Sequence, residues 1–214
     1  MKTLATICLI LCLAGCGREP ANHATGVYML LDTSGTYTQE IDKAQQIINF
    51  ALTRLEPGDS FAVARIDTAS FSEKDIIARA TLDDRPSAAN TQKRRFQTQV
   101  NEFVGTVRPS AYTDISGGLL QALEFLNEKE PRRRTILIFS DLKEDLEEGF
   151  VRDFPLTFTD VDVVALNVTK LRSDNIDPRE YLDRLAVWQQ RVEQGGGRWR
   201  VINDLDRLER LFQS

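Results

Sequence analysis

The chain has 214 residues, with 32 acidic against 27 basic and a formal net charge of −5, and this acidic balance gives no electrostatic basis for nucleic-acid binding. Of its 3 cysteines, at positions 8, 12 and 16, only the last survives removal of the first 15 residues, which excludes an intramolecular disulfide. The remaining 199 residues, at a net charge of −6, suffice for one ordinary domain held by its apolar core alone.

The chain opens with Lys2 and an apolar run from Leu4 to Leu13 in which Thr6 is the only hydroxyl. A spanning helix takes about 20 apolar residues, so this run is too short to cross a bilayer and fits the core of a cleavable signal. Small residues at Ala14 and Gly15 precede Cys16, and Leu13-Ala14-Gly15-Cys16 resembles the bacterial lipobox. The resemblance implies cleavage before Cys16, lipidation of its thiol with fatty acyl chains, and an envelope lipoprotein. Two acyl signals already suffice for stable anchoring. Gly17 is not the aspartate that favours inner-membrane retention in enteric bacteria, so the resemblance implies the outer membrane, facing the periplasm, over the inner membrane. The expected organisation is a signal over 1–15, a lipidated N-terminus and linker over 16–25, and one domain over 26–214. At about 3.3 Å per residue the linker reaches roughly 30 Å at most. His23, the sole histidine, lies in this linker and reads as solvent-exposed.

Strands and helices then alternate. Val27 to Leu31 is an unbroken apolar run, as expected of a strand buried on both faces. A helical stripe follows at Ile41, Ala44, Ile47, Ile48, Ala51, Leu52 and Leu55, ended by Pro57-Gly58. Phe61 to Ile66 reads as a second strand and Asp75 to Leu82 as a short edge strand. Phe96, Val100, Phe103, Val104 and Val107 mark a helix stopped by Pro109, and Ile115, Leu119, Ala122, Leu123 and Leu126 mark another stopped by Pro131. Arg132-Arg133-Arg134 reads as a solvated loop entering the strand Thr135 to Phe139, and Val161 to Val168 is a further buried strand. Asp177-Pro178 has the form of a helix start, the helix running through Trp188 and Val192 to Gly195-Gly196-Gly197. Trp199 to Ile202 makes a last strand, and Asn203 is expected to cap a final helix. The order predicts an α/β fold with a doubly wound, mainly parallel sheet and helices on both faces, whose ligands bind at the carboxyl ends of the strands.

Three segments near those ends carry oxygen donors: Asp32-Thr33-Ser34-Gly35-Thr36, then Tyr112-Thr113-Asp114-Ile115-Ser116-Gly117-Gly118-Leu119, then Ser140-Asp141. Together they resemble the von Willebrand factor A domain family over nearly all of the mature chain. That family carries a metal-ion-dependent adhesion site made of an Asp-x-Ser-x-Ser motif, a distant threonine and a distant aspartate. The resemblance implies that Asp32, Ser34, Thr36, Thr113 and Asp141 hold a divalent cation. Two carboxylates and three hydroxyls form an oxygen-only shell suited to magnesium, and a carboxylate from a protein partner would complete it. Three departures stand out: Thr36 replaces the usual serine, Leu142 stands where glycine is common, and Lys143, Glu144 and Asp145 crowd the loop. Lys143 is positioned in sequence to compete for the carboxylates, and Glu144 and Asp145 to repel an acidic partner.

The resulting expectation is a lipid-anchored, non-enzymatic protein-binding module. Two other readings compete. The first motif also resembles the phosphorylated Asp-Lys-Thr-Gly-Thr of ion-pumping ATPases and haloacid-dehalogenase-like phosphatases, with Asp32 as nucleophile and Asp141 as a magnesium ligand. However, position 34 lacks the aspartate that soluble members use as general acid. Alternatively, Ser34 and Thr36 only cap the next helix, with Gln39 as capping-box partner, and the chain is a structural envelope subunit with a vestigial metal site.

Overall fold

The computed structural model describes residues 23–35, 37–67, 71–171, 173–204 and 208–209. Six strands, β1 (Thr25–Asp32), β2 (Ser60–Ile66), β3 (Ile76–Thr81), β4 (Arg133–Phe139), β5 (Val161–Leu166) and β6 (Arg198–Ile202), form one sheet in the order β3-β2-β1-β4-β5-β6. All neighbours pair parallel except β3, which runs antiparallel along the edge of β2. The fold is α/β and doubly wound, as its strand periodicity predicts.

Strand β1 lies at the centre because every residue from Gly26 to Asp32 is buried. Its side chains alternate across the sheet. Val27, Met29 and Leu31 pack with Ile47, Ile48 and Val100 of α1 (Ile41–Arg54) and α2 (Pro86–Thr106). Tyr28 and Leu30 face the other way, against Leu119, Leu126, Trp188 and Val192 of α3 (Ile115–Lys129) and α4 (Arg179–Gln194). One strand therefore seeds two cores. Helix α1 stops where Leu55 turns extended ahead of Pro57 and of Gly58, whose φ is +90°. Helix α2 begins at Pro86, ten residues ahead of its apolar stripe. Its first half buries only Ala89 and so shows no helical periodicity, but a proline suits the first helical turn. The stripe itself seats Phe96 flat on Phe61, with ring centroids 4.8 Å apart.

Several local expectations change. Arg133 and Arg134 belong to β4 and only Arg132 precedes it, because the strand pairs with β1 from Thr25↔Arg133 onward. Asp177 does cap a helical amide, that of Arg179 at 3.0 Å, but Pro178 is the boundary residue of α4. Asn203 Oδ1 accepts the Val168 amide at 2.8 Å, closing the end of β5, and the amides it is expected to cap lie outside the described residues. The expected final helix lies largely outside the described residues, as do residues 1–22 with the signal, Cys16 and most of the linker. His23 is exposed as expected.

The crossover from β4 to β5 contains no helix. Residues 140–160 instead form an irregular strap pinned by buried Leu142, Leu156 and Phe158. Sheet order reverses between β1 and β4, so the crevice at a switch point opens beyond Asp32 and Phe139.

Candidate functional site at the sheet switch point

Asp32 is the last residue of β1, and Ser140 and Asp141 directly follow β4, the neighbouring strand. Parallel pairing brings the two ends level, Leu31 opposite Phe139, and so converts two distant sequence motifs into one site. Asp32 is 1% exposed and Asp141 5%. The Ser34 amide donates to Asp32 Oδ1 at 2.8 Å, the Ser34 hydroxyl bonds the same carboxylate, and the Ser140 hydroxyl donates to Asp32 Oδ2 at 2.6 Å. The Lys143 amide donates to an Asp141 carboxylate oxygen at 2.8 Å.

Thr113, 4% exposed, is carried to the same place by a short antiparallel bridge. Its amide donates to the Asp145 carbonyl at 2.7 Å and the Asp145 amide returns a bond to the Thr113 carbonyl at 2.9 Å. A second bridge, Ser34↔Ser110, ties the segment before Thr113 to the segment after β1. The two bridges thus set Thr113 against the loop that follows Asp141, and Ser110 against Ser34, near the paired strand ends that carry Asp32 and Asp141, whereas Thr36 lies outside the described residues and the side chain of Gln39 with it.

The loop after Asp141 behaves only in part as its sequence suggests. Lys143 is exposed and touches Asp141 through its backbone amide, and its charge also favours the ionised Asp141 carboxyl. The Glu144 carboxylate accepts the Ser116 amide at 2.6 Å, so this acid is spent on the N-terminus of α3, where negative charge is favoured. Asp114 caps the same helix through Gly117 and pairs with Arg152 at 2.5 Å. Asp145 is fixed by its backbone. Leu142 adopts the left-handed region, φ +65°, which a glycine would occupy at no steric cost. Leucine is held there because its side chain is buried and its carbonyl accepts the Trp188 indole N–H at 2.9 Å.

Ser140 stands outside the ligand set that the sequence suggests, yet it is the closest partner of Asp32. Its adjacency to Asp141 was the available signal, but its direction depends on the β1–β4 pairing. Arg184 was also not legible. It holds buried Asp174 with bonds of 2.8 and 2.7 Å while its Nε donates to the Asp141 backbone carbonyl at 3.2 Å.

The electrostatics suit a cation. Among the described residues neither Asp32 nor Asp141 forms an ion pair. Burial raises the Asp32 carboxyl above its ordinary value against the hydrogen bonds from Ser140 and Ser34. Burial also pushes Asp141 up to about 6, and the Asp32 charge adds to the effect. A divalent ion would remove this cost, since an opposite charge favours the ionised forms. The donors are carboxylate and hydroxyl oxygens, the chemistry of magnesium or a similar hard ion. No group of three or more His, Cys, Asp or Glu side chains placed to hold a metal ion occurs among the described residues, so an ion here would rest on two carboxylates and neutral oxygens.

These features define an open α/β domain with a compact oxygen-donor site at its topological switch point. No protein-family model and no curated protein matches the sequence. Solved structures do match. A von Willebrand factor type A protein from Catenulispora acidiphila aligns over 88% of this chain at 15% identity, TM-score 0.53. The pilus adhesin SpaC from Lactobacillus rhamnosus GG, in an open conformation, aligns over 90% at 10% identity, TM-score 0.56. An aerotolerance-related membrane protein from Bacteroides fragilis aligns over 89% at 15% identity, TM-score 0.48, and is covered to 98% of its own length. The chain spans only 41% and 29% of the first two. It has a von Willebrand factor A-like fold.

Proposed function

We propose that this chain is a non-enzymatic protein-binding module, tethered to the bacterial envelope through lipid on Cys16, that captures its partner through a divalent cation. Asp32 and Asp141 would balance the ion's charge, with Ser34, Thr36 and Thr113 supplying hydroxyl oxygens and magnesium the ion of choice. A carboxylate from the partner would take a remaining position. The observation that carries this reading is the pair of buried carboxylates at the ends of adjacent strands, neither in an ion pair among the described residues, with the Arg184 and Lys143 charges acting on Asp141 without contacting its carboxylate as an ion pair. A structural polar residue at a strand end would be solvated or paired; two buried anions side by side call for a cation.

A nucleophilic role for Asp32 fits less well. Its two oxygens accept bonds from Ser34 and Ser140 and it is 1% exposed, whereas in-line attack needs a free, accessible oxygen. Three hydrogen bonds fall on its two oxygens, which leaves about one of the four acceptor sites of a carboxylate for a small ion.

Strand direction also orients the module. Thr25 opens β1 and Asp32 closes it, a rise of about 23 Å at 3.3 Å per residue. The tether therefore joins the pole opposite the site, and the site would face away from the anchoring membrane. Membrane contact runs through the lipid alone on this reading; no described helix is long and apolar enough to span.

Calorimetric titration of magnesium into wild type, Asp32→Ala, Asp32→Asn and Thr113→Ala, paired with capture from envelope extracts in magnesium or chelator, tests the proposal. Asp32→Ala should lose ion binding and capture together, Asp32→Asn should lower ion affinity, and Thr113→Ala should do so more mildly because water replaces a neutral ligand. Identical titrations for wild type and Asp32→Ala would leave a structural subunit with a vestigial site. Phosphatase turnover abolished in Asp32→Asn would instead establish the enzyme.

A further inference from the structure

We propose that a second pocket, between α3 and the turn leading into β3, receives an arginine side chain presented by a protein partner. It lies apart from the switch-point site and does not depend on a metal there. The cavity holds about 260 Å³, just below the roughly 300–1,000 Å³ of pockets for drug-sized ligands, a size suited to one inserted side chain.

Its floor is fixed. The buried Tyr28 hydroxyl donates to Gln121 Oε1 at 2.9 Å, and Gln121 Nε2 donates to the Ser72 carbonyl at 2.8 Å. Phe125 meets the Tyr28 ring edge-on, centroids 5.4 Å apart. Phe71 completes the aromatic lining and is 45% exposed, an apolar ring left half in water beside a half-open hollow.

The rim sets the charge of the occupant. Glu73, Glu124 and Glu128 line the pocket against one cation, Arg79, which Glu73 takes up at 2.9 Å. Glu128 pairs with Lys129, and Glu124 has no ion-pair partner among the described residues. Asp75, 1% exposed, adds to the negative potential. Arg65 bonds its Oδ1, its Oδ2 has no hydrogen-bond partner, and its charge bears on the Tyr28 phenol. Anions are therefore repelled, and a cation with a flat apolar face is favoured. A guanidinium stacks on aromatic rings and sheds water more readily than an ammonium, which selects arginine over lysine.

The test titrates an acetylated, amidated Gly-Arg-Gly peptide into the isotope-labelled full chain in detergent micelles, following the Gln121 side-chain amide by NMR. Saturable shifts are expected, and the lysine and citrulline analogues should bind less tightly. Glu124→Gln with Glu128→Gln should weaken binding on the order of tenfold, up to roughly fivefold per carboxylate. Phe71→Ala should weaken it roughly two- to fivefold. Glu147→Gln with Glu148→Gln, outside the pocket, should leave affinity unchanged and so separates local recognition from general acidity. Binding that survives the Glu124/Glu128 change, or that falls equally in the Glu147/Glu148 control, would overturn the proposal. Free arginine binding as tightly as the peptide would overturn the polypeptide occupant in favour of a small-molecule site. Asp32→Ala should have no effect here, so failure of either site is read independently.

Discussion

Replacing Asp141 by asparagine in metal-free protein should raise stability at neutral pH, the reverse of what loss of a native hydrogen-bonding residue ordinarily does. The carboxyl is pushed up to about 6 from an ordinary 3.8, by burial and then by the Asp32 charge, against the Lys143 amide bond. The unfolded chain releases this proton near the ordinary value, while the folded chain keeps it to about 6. The stability linked to Asp141 is thus fully present below the unfolded value and is lost as pH rises through about 6. A gap of roughly two pH units at about 1.4 kcal/mol each makes the buried charge cost on the order of 3 kcal/mol at pH about 7.5. Asparagine keeps the oxygen that accepts the Lys143 amide and removes the charge. In chelator its urea midpoint should exceed that of wild type by up to about 1.5 M, taking a slope of about 2 kcal/mol per molar. The advantage should shrink as pH falls from about 7.5 to about 5. Magnesium should then erase the difference, because binding stabilises wild type by mass action and the variant less. Urea titrations at three pH values, with chelator and with magnesium, check all of this. A wild type more stable than the variant in chelator at pH about 7.5, or parallel pH profiles for the two, would refute the reasoning.

Other changes probe the frame around the site. Leu142→Gly relieves a left-handed φ worth about 1–2 kcal/mol but deletes a buried leucine, which costs about 2–5 kcal/mol. The net should be a loss of about 2 kcal/mol, read as a lower thermal midpoint, and an unchanged midpoint would mean the loop refills the hole. Gly26→Ala would drive a methyl group into the Pro131 ring and against Leu126, costing about 1–3 kcal/mol in chemical denaturation. Cys16→Ser should remove labelled fatty acid from the protein, and label retained on that variant would place the lipid elsewhere.

The sequence by itself determined the alternation of elements and hence the fold class. Strands buried on both faces must be apolar throughout, so Val27 to Leu31, Thr135 to Phe139 and Val161 to Val168 announce themselves. It also carried Asp32, Ser34, Thr113 and Asp141, through the resemblance of their three segments to the adhesion-site motif of the von Willebrand factor A family. Elements lacking such a pattern stayed hidden. The polar first half of α2 buries almost nothing, and the strap over residues 140–160 has neither strand nor helix period. Tertiary structure alone decided which charges meet. Ser140 reaches Asp32 only because β4 pairs with β1. Glu144 turns to the start of α3 and Lys143 out to solvent, although sequence places both beside Asp141. The pocket of Tyr28, Phe71 and Glu124 joins residues of β1, the turn before β3 and α3. Periodicity is written along one segment, whereas direction and juxtaposition depend on packing between segments distant in the chain.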